Sequence, residues 1–576
     1  MKKPYLPALD GLRAFAVLAV IIYHINPSLL PGGFLGVTIF FVLSGYLITD
    51  LLLHEFIMTG SIRLDHFWLR RARRLLPALY TVLAVVSLYV VFTMPKNFLF
   101  LRGDLFAALL YVSNWWFLFH HISYFASYQV AQPFLHLWSL AVEEQFYLLW
   151  PLLLLFLFHW AKNIKSFYLV FITLAAISVI LMGFLTGPDP SRVYYGTDTR
   201  AFSLIIGAIL ALRFPSYHKH SLPLPRYLIT IFGVITFILL LVTMIVCDQY
   251  QAFLYPYGML LVSIATAVMI LLLMQTKSAI ARFFAIQPLR YLGKRSYSLY
   301  LWHYPIIVLT TPMNTTQTPS IIRPLFQIIL SIVMAELTYR FIEEPIHHGI
   351  TKKWSYNIMA ILPLSAIVGL SFYVLQSIPQ KQAQAMVIPS IAVALPSFQT
   401  DSQPVTKEKT MKKNHQPLHG NMVTTIGDSI MLDLKPDLLK YLPGIIVDGK
   451  VSRQMYQLQD TLNTLQKAHH LHKILVIELG TNGPFDPTIV EQQLNALHEK
   501  GILIINTRVP RPWQNDVNAR LVDVVKHVAH AHLLNWYAIS SNHDAYFFPD
   551  GVHLDSLGAR VLSAWILHDL MKFQLS

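Results

Sequence analysis

Met422-Val423-Thr424-Thr425-Ile426-Gly427-Asp428-Ser429 reads as a short apolar strand that stops at a glycine and runs into a polar triplet. Further strand-like runs follow at 473–479, 502–506 and 531–536, with helical periodicity between them at 489–500 and 520–530. Alternating strand and helix predicts a parallel sheet covered by helices on both faces, an α/β/α domain over 421–576. Ligands of such sheets sit beyond the carboxyl ends of the strands. Gly427-Asp428-Ser429, Gly480-Thr481-Asn482 and Asp550-Gly551-Val552-His553 all fall at or near that edge.

Those three segments hold the parts of a serine acyl-transfer site. A serine hydroxyl is a poor nucleophile until a base takes its proton. His553 is the candidate base for Ser429, and Asp550, three residues earlier, the group that orients its imidazole. The Ser429 backbone N–H and the Asn482 side chain are candidate oxyanion donors, each worth about 2.7–4 kcal/mol when well placed.

Upstream the chain changes character. Over 576 residues, 55% are hydrophobic and only 13% charged, against roughly 25% charged in ordinary soluble domains, so the chain is expected to be an integral membrane protein. Candidate spans lie at 9–29, 34–54, 75–94, 134–158, 167–186, 200–213, 227–247, 253–274, 297–311, 320–342 and 356–376. The stretch 104–119 ends in Trp115, Trp116 and His120 and is expected to be interfacial or re-entrant. Lysine and arginine crowd alternate loops, including Arg63, Arg70, Arg71, Arg73 and Arg74 early on and Lys277, Arg282, Arg290, Lys294 and Arg295 later. The positive-inside rule then sets the N-terminus in the cytoplasm, and an odd count of spans sets the C-terminal domain outside the plasma membrane. Met1-Lys2-Lys3 ahead of the first apolar stretch is expected to open an uncleaved span. The region 377–420, rich in Gln, Pro, Ser, Thr and Lys, is expected to be a flexible exported linker.

The net charge of +14 is spread over short loops, which argues for topology and against nucleic-acid binding. One cysteine, Cys247, excludes disulfides and cysteine metal sites, and the scattered histidines lack ligand spacing, so no metal and no bound cofactor is expected.

Ionisable residues within spans default to function. Arg13 and His24 are eleven apart, so they project from nearly one face of the first span, roughly 16 Å apart along the axis at about 1.5 Å per residue. His136 and Glu143, seven apart, share a face of another span, with Glu144 beside them; a histidine near a carboxylate serves either as a base or as a structural pair. Arg70, Arg71, Arg73 and Arg74 form either a topology anchor or a receptor for the phosphates of an anionic donor. Tyr194 and Tyr195 lie in a loop on the outer side.

Two resemblances add to this. The blocks around Ser429, Gly480-Thr481-Asn482-Gly483 and Asp550-Gly551-Val552-His553 resemble the SGNH hydrolase superfamily over 422–576. Gly483 stands where that family often has Asp. Its second block is similar to Asp448-Gly449-Lys450-Val451-Ser452-Arg453-Gln454, which implies an oxyanion or substrate role near Gly449 and Arg453. Residues 5–345 resemble acyltransferase family 3 through Leu9-Asp10-Gly11-Leu12-Arg13 with His24, Phe40-Phe41-Val42-Leu43-Ser44-Gly45-Tyr46, Glu143-Glu144-Gln145-Phe146-Tyr147, Ser296-Tyr297-Ser298-Leu299-Tyr300-Leu301-Trp302-His303 and Phe341-Ile342-Glu343-Glu344-Pro345. This implies a ten-span acyltransferase domain at 1–350, joined by an eleventh helix at 351–376. It further implies acetyl-CoA as donor, an acyl-transfer centre at Arg13 and His24, and a phenol such as Tyr195 carrying the acyl group between domains. The fusion resembles the OatA-type O-acetyltransferases of the cell wall, so the expected acceptor is peptidoglycan, at the muramyl C6 hydroxyl. The alternatives are another exported polysaccharide (O-antigen or teichoic acid) and a membrane-anchored acetyl esterase. Oligomeric state is left open by the sequence.

Overall fold

A computed structural model of the protein describes residues 5–347, 369 and 419–572, except 28, 121, 123, 125–131, 162, 187–189, 218–221, 250, 256, 312–321, 452, 498–499, 512 and 549–550. The expected helix at 351–376, apart from residue 369, and the linker as far as residue 418 lie outside the described residues. So does Asp550.

The first part is helical. In chain order its helices are α1 (Pro7–Ile25), α2 (Gly36–Thr59), α3 (Leu64–Thr93), α4 (Pro95–Leu109), α5 (Ser113–Phe119), α6 (Trp138–Trp160), α7 (Ile164–Leu185), α8 (Ser191–Tyr195), α9 (Thr197–Arg213), α10 (Arg226–Val246), α11 (Gly258–Leu273), α12 (Ala279–Phe284), α13 (Gln287–Lys294), α14 (Ser296–Thr310), α15 (Ile322–Thr338) and α16 (Glu344–His347). Seven helical segments among the described residues are long and apolar enough to cross a membrane. Over 104–119 no continuous helix forms: the chain breaks at Tyr111, with φ 53°, between α4 and α5.

Helix contacts in this body rest on glycine. A Cβ at Gly45 of α2 would lie 1.8 Å from the Leu204 carbonyl oxygen of α9, and one at Gly207 of α9 would lie 2.0 Å from the Val42 carbonyl oxygen of α2. Gly11 of α1 and Gly293 of α13 are equally close to the backbones of Phe284 and Asp10. Lipid tails are as apolar as leucine, so close backbone packing replaces the hydrophobic drive between such helices. It also seats α1, which carries Arg13 and His24, against α2, α13 and α14.

The second part holds β1 (Val423–Gly427), β2 (Ile446–Gly449), β3 (Ile474–Glu478), β4 (Gly501–Ile505) and β5 (Ala531–Leu534), with helices α17 (Ser429–Tyr441), α18 (Leu458–Lys467), α19 (Pro487–Asn495), α20 (Gln514–His527), α21 (Trp536–Ile539) and α22 (Ser556–Lys572). The strands form one parallel sheet in the order β2-β1-β3-β4-β5. On one face Met431, Leu434, Leu562 and Ile566 of α17 and α22 pack on Val423, Val476 and Leu503. On the other, Leu458, Leu462, Val517 and Leu521 of α18 and α20 pack on Ile426, Leu475 and Ile502. The edge strand β2 is absent from the sequence expectation. It is four residues long, and all four are only half-buried, so it carries neither a buried apolar run nor a clear alternation.

Candidate functional site

The carboxyl ends of β1 and β3 build the first site. Gly427 pairs with Glu478 in register, and the Asp428 N–H donates to the Glu478 carbonyl at 3.3 Å. The chain leaves β1 there and enters α17 at Ser429. Asp428 caps that helix, its carboxylate accepting from the Ile430 N–H at 3.0 Å. Ser429 therefore sits on the first turn, where unpaired N–H groups and the helix dipole favour negative charge. Gly480, in a backbone conformation open to glycine at φ 127°, turns the chain after β3 and brings Asn482 over Asp428. The Asn482 amide donates to the Asp428 carboxylate at 2.9 Å and to the Arg453 carbonyl at 3.2 Å.

His553 arrives on a loop closed by an antiparallel bridge between Phe547 and Leu554. The Phe548 N–H donates to the His553 carbonyl at 2.8 Å, and the Leu554 N–H donates to Asp433 of α17 at 3.1 Å, one helical turn beyond Ser429. The loop is thus pinned to the helix that carries the serine.

Two buried acids lie beneath. Burial pushes the Asp428 carboxyl up to about 7, against hydrogen bonds that favour its charged form. Burial and then the Asp428 charge hold Glu478 well above the usual carboxylate range. Thr481 donates to Glu478 at 3.3 Å. Both carboxyls are thus held toward the protonated form under the serine turn.

The second site lies in the helical body and has two halves. One is a cavity of about 250 Å³ lined by Arg13, Ser44, Arg71, Arg74, Ser139, Glu143, Tyr147 and Tyr300 among others. Arg13 also holds Asp10 at 3.0 Å, and Glu143 accepts from Ser44 at 3.1 Å and Tyr147 at 3.2 Å. The four arginines divide by helical position. Arg71 and Arg74, three apart, line the cavity. Arg70, which pairs with Glu55 at 3.1 Å, and Arg73 do not line it; Arg70, Arg73 and Arg74 are exposed and Arg71 is half-buried.

The other half is an imidazole pair at the last turn of α1. His303 Nδ1 is 2.7 Å from the Tyr300 carbonyl oxygen, His303 Nε2 is 3.1 Å from His24 Nδ1, and His24 Nε2 is 2.8 Å from the Tyr124 hydroxyl. A carbonyl only accepts, so with both rings neutral the network assigns the protons. His303 carries its proton on Nδ1, His24 on Nδ1, and His24 Nε2 is a lone pair facing the Tyr124 phenol. A base and a nucleophile within hydrogen-bond reach, with the base oriented by a third group, is the constellation of nucleophilic catalysis. Tyr300 links the halves: it lines the cavity, its hydroxyl is 2.6 Å from Ser139 and donates to the His136 carbonyl at 2.9 Å, and its ring packs on His303.

Against the sequence expectations, Ser429, Asn482, Arg453 and the His553 loop come together. Asn482 commits both amide hydrogens to Asp428 and Arg453 here rather than pointing them at open space. Arg453 turns its guanidinium inward onto the Gly427 carbonyl, the Asp448 carbonyl and the Asp448 carboxylate, at 3.0, 2.6 and 2.7 Å, and its N–H closes a turn to Lys450. Gly449 ends β2, where a Cβ would meet Leu432 at 2.9 Å. Arg13 and His24 lie in different halves, and His24 meets His303 rather than Arg13. His136 is fully buried beside His303 and Tyr304, while Glu143 and half-buried Glu144 follow it inside α6. Tyr195 is 1% exposed, among Phe117, Tyr124 and Trp138. His303, Tyr124 and Tyr300 have no role in the sequence reading. The available signal for His303 is an imidazole in the middle of an apolar span.

The family described as an acyltransferase domain matches residues 6–340. "Peptidoglycan O-acetyltransferase OatA" of Listeria monocytogenes is 39% identical, over 98% of each chain. "Putative peptidoglycan O-acetyltransferase YrhL" of Bacillus subtilis is 37% identical over the same shares. "O-acetyltransferase OatA" of Staphylococcus aureus is 35% identical, over 98% of this chain and 96% of the relative. Among solved structures, the C-terminal catalytic domain of Streptococcus pneumoniae peptidoglycan O-acetyltransferase A aligns with 27% of this chain and 94% of its own, at 17% identity and a TM-score of 0.23.

Proposed function

This chain belongs to the acyltransferase-domain family, and from that membership we propose that it O-acetylates peptidoglycan by moving an acetyl group through two centres in turn. The donor is acetyl-CoA, reaching the cavity of Arg13, Arg71 and Arg74 from the cytoplasm. Arg71 Nε is buried there without a hydrogen-bond partner, a guanidinium edge suited to an anionic ligand. A cavity of about 250 Å³ holds only part of such a donor, and the thioester reaches the imidazole pair past Tyr300, which lines the cavity and packs on His303.

In the first step the Tyr124 oxygen attacks the thioester carbonyl. His24 Nε2 takes the phenol proton and returns it to the leaving thiolate, giving an aryl acetate and the CoA thiol. The geometry at His24 favours Tyr124 over Tyr195 for this carrier. In the second step Ser429 Oγ attacks the aryl ester, with His553 as base and Asp550 behind it in an SGNH-like arrangement. A phenol has a pKa near ~10, far below an aliphatic alcohol, so the acetyl group moves downhill to serine. A glycan hydroxyl, the muramyl C6 hydroxyl, then takes the acetyl from Ser429 on the outer side of the plasma membrane.

The observation that carries this reading is the aligned chain Tyr300 carbonyl, His303, His24, Tyr124. It is tested by giving labelled acetyl-CoA to membranes that hold the Ser429→Ala protein. With the second step blocked, label accumulates on Tyr124 and is lost in Ser429→Ala/Tyr124→Phe. Label that fails to accumulate, or that persists with Phe at 124, overturns the first step.

A further inference from the structure

The two parts of the chain touch through a defined polar contact. Arg520 of α20 donates from Nη2 to the Asp248 carboxylate at 3.0 Å. The pair is sheltered, with side chains 17% and 22% exposed. Asp248 lies just past the end of α10. The loop that follows α1 packs there: the Gly32 N–H donates to the Met244 carbonyl at 2.8 Å, and a Cβ at Gly32 would lie 2.8 Å from the Cys247 carbonyl oxygen. His24 is in the last turn of α1. Asp248 therefore sits at the end of the helical body that carries the imidazole pair, not at the arginine-lined end.

On its own domain Arg520 is equally well placed. Its Nη1 donates to the Phe485 carbonyl at 2.7 Å and its Nε to the Asp516 carboxylate at 3.0 Å. Phe485 closes the loop that starts at Gly480-Thr481-Asn482. That loop leans on the same helix, since a Cβ at Gly480 would lie 2.8 Å from Val517, three residues before Arg520. One planar, permanently charged fork thus grips the Asn482 loop with one edge and the helical body with the other. A tethered domain acts at an effective concentration set by its linker, and a docking contact of this kind adds a fixed orientation.

We propose that Asp248 is a docking point for the soluble domain, which Arg520 seats on the His24 end of the helical body so that the acetyl group is handed across a closed junction. The consequence for transfer rests on the two-centre reading above; the contact itself does not.

The test uses the intact protein with Asp248→Arg, Arg520→Asp and the double exchange. Two activities are followed: acetylation of wall glycan in cells, and hydrolysis of a small acetyl ester by the purified protein, which needs only the Ser429 site. Asp248→Arg is expected to lower wall acetylation by roughly fivefold or more while ester hydrolysis is unchanged. Arg520→Asp also loosens the Asn482 loop and lowers both activities. The double exchange keeps the loosened Asn482 loop but regains the ion pair, so it restores wall acetylation above Arg520→Asp alone, the worse of the two single variants. Unchanged wall acetylation in Asp248→Arg overturns the proposal, as does an equal fall in ester hydrolysis in that variant, or a double exchange no better than the worse single one. Ser429→Ala measured beside them separates the two ideas: if it abolishes wall acetylation while Asp248→Arg does nothing, the docking fails and the serine step stands.

Discussion

Asp428 and Glu478 show how burial favours the protonated form of two acids beneath a site. The folded domain holds Asp428 at about 7, against an ordinary 3.8, and Glu478 higher still than its own norm. Between pH 4 and 7 the native state therefore binds more protons than the unfolded chain, so stability falls as pH rises through that window. Replacing Glu478 with Gln removes one member of the pair and keeps the shape. The expected outcome is that the native protein loses thermal stability relative to Glu478→Gln as pH is raised from about 4 to about 7. A difference that is flat, or of the opposite sign, across that window contradicts the raised carboxyls. The same scale shows what can be read without a structure. Ser429 and His553 stand in short polar motifs at strand ends, so their chemistry is local and legible. Tyr124 and His303 are less legible: they meet His24 from positions 100 and 279 residues away, and although His303 closes the block that begins at Ser296, neither neighbourhood shows which residue it meets.

At the scale of elements, the reciprocal contact of α2 and α9 is the tightest argument for the helical body. Ala at Gly45 forces a Cβ into the Leu204 carbonyl, and Ala at Gly207 does the same to Val42. Backbone cannot yield as a side chain can. Each substitution is expected to cost roughly 1–3 kcal/mol, as overpacking does elsewhere. This is measured as a lower melting temperature in detergent, and a Gly45→Ala protein that melts with the wild type contradicts the packing. Helix periodicity and span length made these elements readable in sequence, and the apolar runs of β1, β3 and β4 likewise. β2 escaped because an edge strand of four half-buried residues has no pattern of its own. The break at Tyr111 escaped because a left-handed tyrosine has no sequence signature.

For the whole molecule, the division into an apolar helical body and a parallel-sheet domain was legible from composition alone. How the polar groups divide between an arginine-lined cavity and an imidazole pair was not, because Arg13 and His24 share a helix face and only the neighbouring helices separate their roles. The two-centre account requires both reaction sites for one product. The most direct measurement is the O-acetyl content of peptidoglycan in cells whose only wall O-acetyltransferase is this chain, carrying His24→Ala or, separately, Ser429→Ala. The account predicts that wall acetylation is lost in both, with protein levels unchanged. Acetylation that persists in either one contradicts it.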